Sequence, residues 1–299
     1  MKRLAILAVL VGLLALGGLL YATAPQTATL TVDAGSGDPE LGRTLFLAGG
    51  CQGCHAPPRS AEGRDPALPS GGHRLPSPVG TFFAPNITPD PDTGIGKWRL
   101  QDFVTAMVEG ASPDGRHYYP AFPYGSYRHM TQEDLAHLFA YLKSLKPVSA
   151  EAVAHDVPAS GLLRPFIGLW KAMALGEPGF QPPAGLSGPA LRGAYLVQGP
   201  GHCGECHTPR NLFMVPDDSR RYQGGPHPEG KGQVPSIVGL IERGEYKDAA
   251  SLKEAFEYGE MFGYDSMSSG GMGEVQGNLS KLPSEELDAI VAYLVSLKP

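Results

Sequence analysis

Cys51-Gln52-Gly53-Cys54-His55 and Cys203-Gly204-Glu205-Cys206-His207 are the two stretches on which the reading of the chain turns. Each is C-x-x-C-H, the attachment signature of a c-type haem. Two thiols three residues apart reach the two vinyl groups on one porphyrin edge. The same turn of backbone then presents the next imidazole to the iron as proximal ligand. The two copies use all four cysteines of the chain. A thioredoxin-like pair requires a βαβ context that the flanking sequence lacks. A single zinc site would leave each pair's trailing histidine unexplained, and so would two disulfides. The motif therefore predicts two covalently bound haem c groups, with Cys51, Cys54, Cys203 and Cys206 as attachment residues and His55 and His207 as ligands.

The chain has 299 residues, enough for two domains, and 42% hydrophobic content supports real cores. Forty glycines and 29 prolines imply long loops. A net charge of −6 argues against a nucleic-acid partner. At the N-terminus, Met1-Lys2-Arg3 precedes an apolar run from Leu4 to Leu20. That run exceeds the usual signal-peptide core of about 7–15 residues and reaches the lower limit of about 17 for a membrane span. Ala22-Thr23-Ala24 resembles a cleavage site, but Pro25 follows it directly. Residues 1–24 are read as a membrane anchor in preference to a cleaved signal, and either reading exports the rest of the chain.

A repeat organises the remainder. Cys51 and Cys203 are 152 residues apart, as are Glu133 and Glu285, and the helical segment ending at Pro147 aligns without gaps on the one ending at Pro299. Pro85-Asn86-Ile87 has a counterpart in Pro235-Ser236-Ile237. The spacing predicts a helix from Pro39-Glu40, with Leu41, Leu45 and Leu47 apolar, and another over Trp98–Glu109 with Leu100, Phe103, Val104 and Met107 on one face. Thr131 should cap a third helix, with acids in its first turn. The expected architecture is all-α: a linker at 25–40, a first unit at 41–147, a connector with a short amphipathic helix at 148–190, and a second unit at 191–299.

The sixth ligand decides what such haems do, since a closed iron carries electrons and an open one binds small molecules. In the second unit Met272, flanked by Gly270, Gly271 and Gly273, is the candidate, ahead of Met267, with Met261 read as core. In the first, Met130 is the one methionine of the segment Tyr118–Met130. His117 and His129 stay open as alternatives to it. Met107 fits core. The carbonyls of Pro85 and Pro235 are candidates to fix the second nitrogen of each proximal imidazole. His73, His137, His155, His202 and His227 read as surface or loop residues.

At this point the chain resembles a known family, the multi-haem cytochrome c subunits of periplasmic membrane-bound dehydrogenases such as alcohol and gluconate dehydrogenases. The resemblance covers most of residues 40–299. It is carried by Pro85-Asn86-Ile87-Thr88-Pro89-Asp90 with Thr93–Trp98, by Asp114-Gly115-Arg116-His117 with Tyr119–Tyr124, and by Arg192–Val197 before Gly201–Asn211. In many relatives the residue matching Phe122 is methionine and looks like the distal ligand. Phenylalanine here moves that role to Met130. Well-known members carry three haems, and this chain has motifs for two. The resemblance implies two tandem class I cytochrome c domains and an electron-transfer subunit without catalytic activity of its own. Electrons would enter from a periplasmic dehydrogenase and leave to quinone, a soluble cytochrome or a terminal oxidase. The alternative is a haem enzyme, a dihaem peroxidase or a thiosulfate-oxidising cytochrome.

Overall fold

A computed structural model describes residues 2–33, 35–58, 60–158, 160–230, 232–259 and 272–299. Its first element, α1 (Lys2–Ala22), contains an 18-residue stretch of mean hydropathy 2.6 and lies outside the packed body. It is long and apolar enough to cross a membrane.

The body is mostly helical. α2 (Pro39–Ala48) starts with proline at its first position, and the Asp38 carboxylate accepts from the Glu40 amide at 2.8 Å. Leu45 and Leu47 are buried as expected, while Leu41 faces solvent and Phe46 fills the core instead. The single turn α3 (Cys51–His55) follows. α4 (Leu100–Glu109) begins two residues later than its sequence pattern suggests, because Arg99 is extended and pairs with Asp102 across the first turn. Its face of Leu100, Phe103, Val104 and Met107 is buried. After the short α5 (Tyr124–Tyr127), α6 (Gln132–Ser144) is capped by Thr131, whose hydroxyl accepts from the Asp134 amide at 3.1 Å.

The connector carries α7 (Ser160–Leu163), a 3-10 turn (Arg164–Phe166) and α8 (Ile167–Ala174). α8 touches both halves of the chain. The Lys171 ammonium donates to the carbonyls of Glu109 and Gly110 at 2.6 and 2.7 Å, so a cation closes the C-terminus of α4. The Trp170 indole donates to the Phe213 carbonyl at 2.8 Å.

The second half contains α9 (Gly188–Gln198), the single turn α10 (Gly204–His207), α11 (Ala249–Tyr258), α12 (Met272–Leu279) and α13 (Ser284–Ser296). In each half the first long helix crosses the last. α2 packs on α6 and α9 on α13, and both crossings are made over glycine. A Cβ on Gly42 would lie 1.9 Å from the His137 carbonyl oxygen, and one on Gly193 would lie 1.8 Å from that of Ala289. Around the first crossing sits a core of Leu45, Phe46, Phe103, Val104, Leu135 and Leu138. Around the second sit Leu196, Val197, Leu252, Leu287, Ile290 and Leu294. The halves meet where the Tyr195 hydroxyl of α9 accepts from the Thr131 amide at 3.1 Å and donates to the Asp134 carboxylate at 2.5 Å.

The all-α expectation holds in the main and omits two small hairpins. β1 (Arg74–Ser77) pairs antiparallel with β2 (Gly80–Phe83), and β3 (Gly225–Pro226) with β4 (Gln233–Val234). Thr81, Phe82 and Phe83 favour extended backbone. Gly80, at φ +134°, makes the corner next to the Asp156 carbonyl.

Candidate haem-binding sites

α3 is the first C-x-x-C-H segment and α10, with Cys203 at its N-cap, the second, each a single turn that sets two thiols and an imidazole on one short stretch. All four cysteines are free thiols. Burial pushes Cys51 and Cys203 up to about 12, and Cys54 and Cys206 up to about 11. Yet none of the four is fully shielded from solvent, and Cys54 is exposed.

The two histidines are held alike. His55 Nδ1 lies 2.8 Å from the Pro85 carbonyl oxygen, and His207 Nδ1 lies 2.8 Å from that of Pro235. A carbonyl only accepts, so Nδ1 carries the proton and Nε2 keeps its lone pair. Burial lowers both imidazoles below their ordinary value, which keeps them neutral. A neutral ring with a free Nε2 and an anchored Nδ1 is the state a metal-ligating histidine needs.

The acceptors are positioned by loops that repeat. The Gly71 amide donates to the His55 carbonyl and the Gly224 amide to the His207 carbonyl, both at 2.7 Å. These glycines sit at φ +75° and +74°, and a Cβ on either would come within 2.4 Å of the loop that supplies the prolyl carbonyl. Next to Pro85, the Asn86 side chain accepts from the Thr88 amide at 2.9 Å. Next to Pro235, the Ser236 hydroxyl accepts from the Val238 amide at 3.1 Å. Asparagine and serine make the same local turn. Asn86 is buried and also donates to Val148 O at 2.7 Å and Thr93 Oγ1 at 3.0 Å, tying the loop to the end of the first half.

The distal candidates fall as follows. Met130 is 4% exposed and packs in the first core, against which Cys51 and Phe122 are also placed. Met107 is buried on α4. His117 has both nitrogens engaged: Nδ1 accepts from Lys171 at 3.0 Å, and the ring also bonds the Thr23 backbone. His129 Nδ1 donates to the Gly179 carbonyl at 2.9 Å in the connector. The Phe122 ring meets Tyr118 and Tyr127 at 5.7 and 5.6 Å. Met272 opens α12 and is half-buried against the second core, against which Cys203 and Val275 also pack, rather than lying in open loop. Gly270, Gly271, Met261 and Met267 lie outside the described residues.

The two C-x-x-C-H segments face each other. A Cβ on Gly49 would meet Pro200 O at 3.2 Å and Cys51 Sγ at 3.3 Å, and one on Gly201 would meet Ala48 O at 3.6 Å and Cys203 Sγ at 3.7 Å. His202 Nε2 donates to the Gly49 carbonyl at 3.2 Å, and its ring stands edge-on to Tyr127 at 5.5 Å. Ser126 Oγ donates to Glu205 Oε1 at 2.8 Å, and Arg210 pairs with the same carboxylate. Reciprocally, α12 of the second half presents Glu274 to Gly53 and Asn278 to Gly50. The repeat spacing of 152 residues relates Ser126 to Asn278 and Gly53 to Glu205. The contact is thus nearly self-complementary. Sequence reading set His202 aside as a loop histidine, and the available signal was its place: it stands where the first copy has Gly50.

The cytochrome c family model matches residues 39–146. Over 276 residues the chain is 42% identical to a diheme cytochrome c-type protein of Cereibacter sphaeroides, covering 92% of this chain and 91% of that one. The chain belongs to the cytochrome c family. This cytochrome is also 35% identical over 284 residues to the cytochrome c subunit of a quinone alcohol dehydrogenase from Gluconacetobacter polyoxogenes, covering 90% of its own length and 58% of the relative's. With the fructose dehydrogenase cytochrome subunit of Gluconobacter japonicus it shares 34% identity over 263 residues, 86% of its length and 52% of the relative's. It therefore spans a little over half of those dehydrogenase subunits. Covalent haem c is the cofactor of the family, and the donor set fits it: paired free thiols three residues apart, then a neutral imidazole with Nδ1 committed to a carbonyl.

Proposed function

We propose that this cytochrome is a two-haem electron carrier, built as two tandem class I domains at 41–147 and 191–299 and held at the outer face of the cytoplasmic membrane by α1. It would accept electrons from a periplasmic dehydrogenase and deliver them to quinone, a soluble cytochrome or a terminal oxidase. The observation that carries the reading is the duplicated histidine: two C-x-x-C-H turns, each with its imidazole 2.8 Å from a prolyl carbonyl. In this reading Cys51, Cys54, Cys203 and Cys206 form the thioethers, His55 and His207 bind iron, and Pro85 and Pro235 orient those rings. Met130 and Met272 close the opposite faces. Bound haem iron cycles by one electron between ferric and ferrous. The protein's part is to hold the ligands, exclude water and set the potential through burial and hydrogen bonds to the ligands.

Met130 supports the closed form of the first haem: it is buried in the same core against which Cys51 packs, while His117 is consumed by Lys171 and Thr23. The relatives named as cytochrome subunits favour the carrier over a peroxidase or thiosulfate-oxidising enzyme. The test has two parts. Intact mass of the full chain should show the weight of two haems and a retained N-terminus. Detergent-solubilised membranes should yield the protein with a dehydrogenase whose substrate reduces both haems. One haem or none, or a spectrum that responds to peroxide or thiosulfate but to no dehydrogenase, would overturn the reading.

A further inference from the structure

Gly50 and His202 occupy the same turn of the repeat. Each precedes a C-x-x-C-H segment, and each carbonyl accepts from the amide three residues on, Gly53 and Glu205, at 2.9 Å. Both are left-handed, at φ +55° and +39°. Glycine adopts that backbone without cost, whereas a side chain pays strain for it, and such strain persists where the residue does something glycine cannot. The His202 ring does so. It leaves its own half, donates from Nε2 to the Gly49 carbonyl at 3.2 Å and sets its edge on Tyr127 at 5.5 Å. Gly49 is two residues before Cys51, and His202 is next to Cys203. One imidazole therefore spans the two attachment turns by a path of very few atoms.

We propose that His202 is a positioning residue that locks the two haem-attachment turns together and so sets the rate at which an electron passes between the two haems. The inference rests on both turns carrying haem. In that exchange one electron leaves a ferrous iron and arrives on a ferric one, with no bond made or broken and no proton required. Ser126 on Glu205 and Asn278 near Gly50 also cross between the halves, but only at one attachment turn each, whereas His202 joins one attachment turn to the other.

The test uses the full-length holoprotein with His202→Gly, which reproduces the first copy's backbone, and His202→Gln, which keeps a donor at the ε position. Intact mass and the reduced spectrum establish that both haems remain attached. If the wild-type chain itself lacked two haems, the carrier reading would fail before this one is reached. Re-equilibration between the haems after pulsed reduction is then followed, together with hydrogen exchange over 49–55. The glycine variant should slow re-equilibration by about threefold to thirtyfold and speed amide exchange in that segment, with glutamine restoring most of both. Should His202→Gly lose a haem, His202→Asn carries the same expectation, being tolerant of the left-handed backbone but too short to reach Gly49. Unchanged re-equilibration and exchange in the variants that keep both haems, or slowing that glutamine does not rescue, would overturn the proposal.

Discussion

Gly193 passes so close to Ala289 that a methyl group in place of its hydrogen would sit 1.8 Å from the Ala289 carbonyl oxygen. The same relation joins Gly42 to His137 at 1.9 Å. Backbone on the facing helix cannot move aside as a side chain can. Gly193→Ala should therefore separate α9 from α13 and destabilise the fold by about 1–3 kcal/mol, despite alanine's better helix propensity. Gly42→Ala should act likewise on α2 and α6. Denaturant melts of the holoprotein measure both, and a variant as stable as wild type would show that the crossing tolerates a wider helix separation.

Asn86 stands between the proline that orients His55 and the end of the first half. Asn86→Ala removes one donor from the part-buried Val148 carbonyl and the acceptor of the buried Thr88 amide, and should cost about 1–3 kcal/mol. It should also shift the potential of the first haem alone, because the Pro85 carbonyl loses its local turn. A redox titration that resolves the two haems separates this from a general loss of stability.

His117 gives the fold an acid limb. Burial, then the neighbouring Lys171 cation, brings its imidazole from 6.5 down to about 4. Between those values the unfolded chain takes up a proton that the folded chain refuses. Stability should fall as pH is lowered from about 6.5 to about 4 and be level above, as far as this group is concerned. Thermal melts of His117→Gln, compared with wild type at pH 7 and pH 5, should show a smaller acid loss.

Met130→Leu and Met272→Leu should each open one haem. Each variant is expected to lose about half of the weak near-infrared band of methionine-ligated ferric haem and to gain a high-spin signal by electron paramagnetic resonance, as the axial ligand sets the spin state. Retention of a fully low-spin spectrum in Met130→Leu would assign the first haem's sixth position to another residue, His129 being the candidate whose Nδ1 is already held by the Gly179 carbonyl.

Much of this was readable in the residues. The capped helix after Thr131, the helix beginning at Pro39 and the buried face of Phe103, Val104 and Met107 follow from caps and 3.6-residue spacing, which act locally. The prolyl carbonyls could be named from repetition, because equal geometry at Pro85 and Pro235 demands equal surroundings. The hairpins were not legible, since Thr81-Phe82-Phe83 is too short a run to declare a period. His202 was missed for a different reason. Its partner Gly49 is 153 residues away in sequence, and only the meeting of the two turns gives the imidazole something to do.

α8 has one more consequence. Its lysine finishes a helix of the first half and its tryptophan grips a loop of the second, so the stretch joining the halves works as a splint rather than a string. Cutting the polypeptide within 148–190 would not liberate two self-sufficient modules. A cut before α8 would leave a frayed α4 terminus on the first fragment, and a cut after it an orphaned Phe213 loop on the second, which ties evolution of either half to the company of its twin.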